Sequence, residues 1–194
     1  MNGLIAKNNI HDNNWSGISL SYSSPSIREN LIYDNSSYGL YSGYWSTPDA
    51  GQDVSYSGNQ IHDNGSDEIR VYYHSDINLG EEDCGVIANG YNSITDDNGY
   101  FVKATSYCDV SAEKNWWGTA NPSSSKFFTD GTSTIDYLPP LPTDPFEQTG
   151  SVAGGGNNLK AGNSIQTGWN DLYDPDWRLR KKVFFIKTLA MLGK

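Results

Sequence analysis

The sequence predicts an all-β solenoid, a stack of about five coils of short parallel strands, followed by a linker and a helical tail. Three observations carry this expectation. A motif of the form Asn-x-Ile-x-Asp-Asn recurs along the chain, and the segments after each copy keep their apolar residues in step. Only 36% of the 194 residues are hydrophobic, too few for a Leu-rich globule, while Asn, Ser, Asp and 20 Gly supply turns. The apolar content itself is largely β-branched and aromatic, the residue types that fit a pleated, half-buried surface.

The motif begins at Asn8, Asn30, Asn59 and Asn92, at offsets of 22, 29 and 33 residues. A degenerate fifth copy starts 23 residues later at Asn115, with Trp117 in the isoleucine position. Downstream of each copy, Ile18, Leu40, Ile69 and Val102 share one offset, and Leu20, Ser42, Val71 and Ala104 share another. A basic period near 22, strand-like alternation and no helical spacing fit coils stacked about 4.8 Å apart. The segments Gly43 to Asp53 and Asp76 to Val86, which lengthen the period, are expected to leave the coil as loops. The recurring Asn has a physical reason: an inward amide at a tight bend bonds its own backbone and the amides of the coils on either side.

Asn-x-Ile-x-x-Asn followed by Gly17-Ile18 or Gly39-Leu40 resembles the right-handed parallel β-helix repeat family, seen in pectate-lyase-like proteins and in the periplasmic accessory protein of nitrous oxide reductase. The run Asn115-Trp116-Trp117-Gly118-Thr119-Ala120-Asn121-Pro122, with Ile135 to Leu141 after it, is similar to the closing coil of such repeats in secreted bacterial chains. The resemblance covers about residues 2 to 141. It implies a right-handed parallel β-helix over residues 1–142 and a secreted, periplasmic or cell-surface location. It says little about activity, because the repeat serves lyases, hydrolases, epimerases and scaffolds alike. The pattern is under way at Asn2, so a cap and further coils are expected upstream. Met1-Asn2-Gly3-Leu4 has neither the charged start nor the apolar core of a signal peptide, so export is expected to be directed from there too.

Formal net charge is −10, which argues against a nucleic-acid partner, since phosphate binding needs a basic footprint. No run of about 20 apolar residues is present to span a bilayer. Residues 143–162, with Gly154-Gly155-Gly156-Asn157-Asn158, read as a flexible linker in which little packing is expected. Residues 163–194 read as a helical tail or the start of a further domain. Asp174-Pro175-Asp176 supplies a helix start, and the helix is expected over about residues 175 to 192. Arg178, Arg180, Lys181 and Lys182 are taken as its solvated face.

The outward positions of the strand after the Gly give the functional lead. The shared offsets stack Ser19, Tyr41, Arg70 and Lys103 in one column, Ser21, Gly43, Tyr72 and Thr105 in a second, and Ser23, Trp45, His74 and Tyr107 in a third. Tyr41, Trp45, Tyr72 and Tyr107 offer rings to sugars. Arg70 and Lys103 on neighbouring coils could address one sugar carboxylate, with Lys103 or His74 removing a proton and the Lys103 amine depressed by its cationic neighbour. The leading expectation is a non-catalytic extracellular or cell-surface module that binds a polysaccharide or cell-surface glycan, or serves as a stalk. The alternative is a polysaccharide lyase acting on uronate-containing glycans through Arg70, Lys103 and His74.

Other chemistry is weaker. Asp12, Asp34, Asp63 and the pair Asp96-Asp97 occupy the repeated turn and read as structural. Glu81-Glu82-Asp83 offers carboxylates to Ca²⁺ but lacks alternating ligand spacing, so a solvated loop is expected and no cofactor is required. His11, Tyr33 and His62 share a turn column, with the imidazoles two coils apart, too far for one ion. Cys84 and Cys108 fall at nearly equivalent places on successive coils and are read either as two thiols or as one disulfide, which export would favour.

Overall fold

The computed structural model describes residues 3–51, 58–80, 90–96 and 98–147. Two units divide the chain at residues 149 and 150, and the described residues all belong to the first. The predicted tail helix, the linker after residue 147, Glu81-Glu82-Asp83, Asp97 and Cys84 lie outside the described residues.

Each coil runs through three faces. Coil 1 holds β1 (Leu4–Ala6), β2 (Asn9–His11) and β3 (Ile18–Ser21), and coil 2 holds β4 (Ser26–Arg28), β5 (Leu31–Tyr33) and β6 (Leu40–Gly43). Coil 3 enters through a single bridge at Asp49 and continues as β7 (Gln60–His62) and β8 (Ile69–Tyr72). Coil 4 is β9 (Ile77–Gly80), β10 (Ser93–Thr95) and β11 (Val102–Thr105). Coil 5 is β12 (Asp109–Ala112), a bridge at Trp116 and β13 (Phe127–Thr129), after which β14 (Thr134–Asp136) opens a partial turn. Equivalent strands pair in parallel: β2-β5-β7-β10, β3-β6-β8-β11-β13, and β1-β4 linked through Asp49 to β9-β12-β14. Among the described residues there is no α-helix, only a 3-10 turn at Ser124–Lys126.

The predicted columns are the observed ones. Ile18, Leu40, Ile69 and Val102 are register partners, as are Leu20, Ser42, Val71 and Ala104, and all point into the core. The motif isoleucines Ile32, Ile61 and Ile94 stack beneath them with Trp117, which is buried in the fifth rung. Two expected loops require correction. Gly43 to Gly51 stays in the coil, since Gly43 ends β6 and Asp49 bridges Ser26 and Asn78; Ile77–Gly80 is a strand. A period-two reading of the motif and the following strand overlooks the third face, which carries no Asn-x-Ile motif but still turns Ile27, Ile77, Leu79, Val110 and Ala112 into the core.

Amide ladders line two corners. Asn8, Asn30, Asn59, Asn92 and Asn115 form one, each Nδ2 donating to the next Oδ1 at 2.8–3.0 Å. Asn13, Asn35 and Asn64 form the second, with Nδ2 to Oδ1 distances of 2.8 and 2.9 Å. A third ladder was not foreseen. The backbone N–H of Ser23 donates to Ser46 Oγ at 3.1 Å, that of Ser46 to Ser75 Oγ at 3.2 Å, and that of Cys108 to Ser133 Oγ at 3.1 Å. Cys108, a free and buried thiol raised by burial, receives the N–H of Ser75 and so stands in for a serine. Cys108→Ser is therefore expected to shift the denaturation midpoint little, whereas Cys108→Ala, which orphans that N–H, is expected to lose about 1–3 kcal/mol in a urea titration.

Ladder chemistry also explains the Gly before β3 and β6. A Cβ on Gly39 would lie 2.8 Å from Asn64 Nδ2 and 2.6 Å from Ile61 Cγ2, and one on Gly17 would meet Asn35 and Ile32 in the same way. Glu68 occupies this position on coil 3, and on coil 4 the sequence has Asp97 in the column that holds the ladder Asn on coils 1 to 3. The Glu68 carboxyl accepts from Asn64 N–H at 3.1 Å and Nδ2 at 2.6 Å, the two donors that meet a ladder Oδ1 on the coils before. Phe101 holds the equivalent place on coil 4 and packs with Trp117 and Phe127, closing the core aromatically. The N–H of Leu141 bonds Asn115 O, and Asp144 accepts from Ser93 Oγ at 3.0 Å, so packing continues into the first residues of the expected linker.

Candidate functional site

The outer face of the β3-β6-β8-β11-β13 sheet gathers the residues singled out from the sequence. Tyr41, Arg70 and Lys103 are register partners, as are Gly43, Tyr72 and Thr105. The two cations part company at their ends. Arg70 donates to Thr105 Oγ1 at 2.7 Å and to the carbonyl of Lys103 at 3.3 Å, with its guanidinium 5.4 Å from the Tyr72 ring. The Lys103 ammonium lies instead 5.6 Å from the Tyr100 ring and 5.3 Å from the Phe128 ring. Each charge thus rests on its own aromatic neighbours.

At the corner after this sheet the chain turns through left-handed residues. Tyr44 and Trp45, Tyr73 and His74, and Ser106 and Tyr107 all have φ between 52° and 69°, held by bonds such as Trp45 N–H to Tyr73 O and His74 N–H to Ser106 O. Bulky side chains are rarely placed there, and each left-handed residue costs roughly 1–2 kcal/mol. The motif corner uses Asp12, Asp34 and Asp63 at the same φ, residues that tolerate it better. The corner before the motif likewise carries long side chains at this φ, Lys7, Glu29, Tyr91 and Lys114, so what sets the outer corner apart is the set of rings it turns to solvent.

These side chains form two columns. Trp45, His74 and Tyr107 stack with centroids 4.5 and 5.2 Å apart and planes within 10°. Beside them Tyr22 stacks on Tyr44 at 6.3 Å, and Tyr44 meets both Tyr72 and Tyr73 at 5.8 Å. The ridge faces solvent, with Tyr22 73%, Trp45 57% and Tyr107 63% exposed. Both faces of the His74 ring are covered, which leaves its edge for any contact. Tyr41 stacks on Tyr38 at 5.9 Å, and burial raises its phenol.

Sequence reasoning missed Tyr22, Tyr44 and Tyr73, because strand alternation stops at a corner where two successive residues both face out. It also misplaced Ser23. On coil 1 the corner has one left-handed residue, Tyr22, and Ser23 already belongs to the serine ladder opposite Ser46, not over Trp45. The signal was present: Ser23-Ser24-Pro25 and Ser46-Thr47-Pro48 repeat at 23 residues, while the strands before them repeat at 22.

Elsewhere the polar groups serve the fold. A cleft of about 520 Å³ is lined by Gly65, Asp67, Gly99, Tyr100 and Lys126, among others. Its lysine donates to the carbonyls of Asp96 and Gly99 at 3.1 and 3.0 Å, and Asp67, raised by burial, accepts the Tyr100 N–H. Asp96 accepts from the N–H groups of Asn98 and Gly99 and holds its turn. His11, Tyr33 and His62 stack at 4.9 and 5.4 Å, with the phenol between the imidazoles and each His Nδ1 against the carboxylate that follows it, 2.6 Å for Asp12 and 2.9 Å for Asp63.

Stacked parallel strands and amide ladders define a parallel β-helix, here with an outward aromatic ridge. The family model described as the right handed beta helix region matches residues 1–116, and the chain belongs to that family. Comparison with curated proteins and with solved structures finds no match.

Proposed function

We propose that this chain is an exported β-helix module, extracellular or at the cell surface, that binds a polysaccharide or cell-surface glycan through its aromatic corner. The observation that carries the reading is the ridge itself: large rings stacked in columns on successive coils and left open to solvent. Rings supply broad, rigid, amphipathic contact at a small entropic cost, and Trp45, Tyr72 and Tyr107 belong to this surface with Tyr41 on the adjoining sheet. The divergent ends of Arg70 and Lys103 and the enclosed ring of His74 give a uronate lyase less geometric support than binding.

A printed glycan array tests the reading. The folded chain is expected to retain a defined set of glycans, to lose them in a Trp45→Ala/Tyr107→Ala double variant, and to keep them in Lys103→Ala. No retention by the folded chain would refute the binding role. Unsaturated oligosaccharides in the eluate, abolished by Lys103→Ala, would establish the lyase instead.

A further inference from the structure

The aromatic column does not offer its rings equally. A stacked ring has both faces occupied by its neighbours, so only the ends of the column present a flat face. His74 is covered by Trp45 on one side and Tyr107 on the other. Among the rings, Trp45 stacks on His74 alone and stays 57% exposed, because the corner of coil 1 is one residue shorter: Tyr22 lies over Tyr44, and the backbone N–H of Ser23 already joins the serine ladder while its hydroxyl stays at the surface. The missing residue leaves one indole face bare, beside the overhanging Tyr22.

The surroundings of the two ends differ in charge. The segments that follow Tyr22 on coil 1 and Trp45 on coil 2 carry hydroxyls: Ser23, whose Oγ donates to Ser21 O, and Ser24 and Thr47, whose oxygens are 2.7 Å apart. At the other end, Ser106 N–H donates to Asp130 at 2.7 Å and holds that carboxyl down to about 2, so the acid is ionised beside Tyr107. The chain as a whole carries −10. An anionic sugar approaching this ridge meets like charge; a neutral one does not.

Resting on the glycan-binding reading above, we propose that the bare face of Trp45 is the primary subsite, taking one pyranose unit of a neutral glycan. The C–H face of the sugar lies on the indole, and its rim hydroxyls meet those of Ser23, Ser24 and Thr47. The shortened corner of coil 1 makes the subsite, and the residues along the middle of the column support it.

The test is titration of the full chain with cellohexaose, mannohexaose and hexagalacturonate, read by intrinsic fluorescence and calorimetry. At least one neutral hexasaccharide is expected to bind and to change the emission of wild type but not of Trp45→Phe. Affinity is expected to fall about tenfold or more in Trp45→Ala, equivalent to about 1.4 kcal/mol. Inserting a tyrosine between Tyr22 and Ser23 restores the longer corner and covers the indole, and should abolish binding by a protein with an unchanged denaturation midpoint. Should the insertion unfold the chain, Trp45→Ala decides alone. Undiminished binding in Trp45→Ala, or tighter binding of hexagalacturonate, overturns the subsite while leaving the glycan-binding reading in place. Failure of both this titration and the glycan array to show any binding removes both.

Discussion

Replacing Asn59 with alanine is expected to destabilise the solenoid by about 4 kcal/mol, a large share of the total stability of an ordinary domain. Asn59 is fully buried in the middle of the longer amide ladder. Its Oδ1 receives the N–H of Asn30 at 3.1 Å and the Asn30 Nδ2 at 3.0 Å, while its own Nδ2 donates to Ile27 O at 2.9 Å and Asn92 Oδ1 at 3.0 Å. Alanine removes all four bonds and leaves donors and acceptors with no route to water, each orphan costing about 1–3 kcal/mol. Asn8, at the exposed end of the same column, provides the control: its Nδ2 donates to Asn30 Oδ1 and Ala6 O from a position open to solvent. Urea denaturation followed by circular dichroism should therefore show a loss for Asn8→Ala of about 1 kcal/mol or less. Equal losses at the two positions would contradict the ladder as the source of stability.

The second large effect is a dependence of stability on pH that resides in Glu68. Burial pushes this carboxyl up to about 8, with the two Asn64 bonds only partly opposing the shift. The folded chain consequently keeps a proton that the unfolded chain releases near its ordinary value of 4.5. Stability from this group is fully present below about pH 4.5, declines as pH rises, and is lost by about pH 8, a change on the order of 4 kcal/mol. Glu68→Gln cannot ionise, so the difference in unfolding free energy between wild type and variant should trace that decline between pH 4.5 and 8. At pH 4.5 the variant should be the less stable, because one acceptor facing Asn64 has become a donor. A pH-independent difference would show that Glu68 is not protonated in the fold.

Much of this architecture was legible in the sequence because the repeated positions are dictated by burial. A motif isoleucine and the apolar strand after it cannot slip by one residue without turning the core outward, so constant offsets translated directly into register. The third face was less visible because it carries no Asn-x-Ile motif and, on coils 3 and 4, runs directly into the lengthened segments, and so Ile77–Gly80 read as a loop. Glu68 also escaped notice. Its neutral, buried state follows from a missing amide two coils beyond Asn35 in the ladder column, which only the stacked arrangement brings against it. The candidate site was legible as a face but not in its details. Tyr41, Arg70, Tyr72 and Lys103 lie where alternation puts them, whereas the corner follows its own count, with two outward residues on three coils and one on the first.

That one-residue difference links fold to proposed function. Sheet register sets the coil spacing, the left-handed corner turns the rings outward, and the shorter first corner bares the indole of Trp45. A crystal structure of the chain with the tightest neutral oligosaccharide from the titration tests this sequence of causes most directly. The account predicts a pyranose ring parallel to the Trp45 indole, on the face away from His74, with carbon contacts at about 4 Å. A sugar bound on another face of the solenoid, with Trp45 left bare, would contradict it.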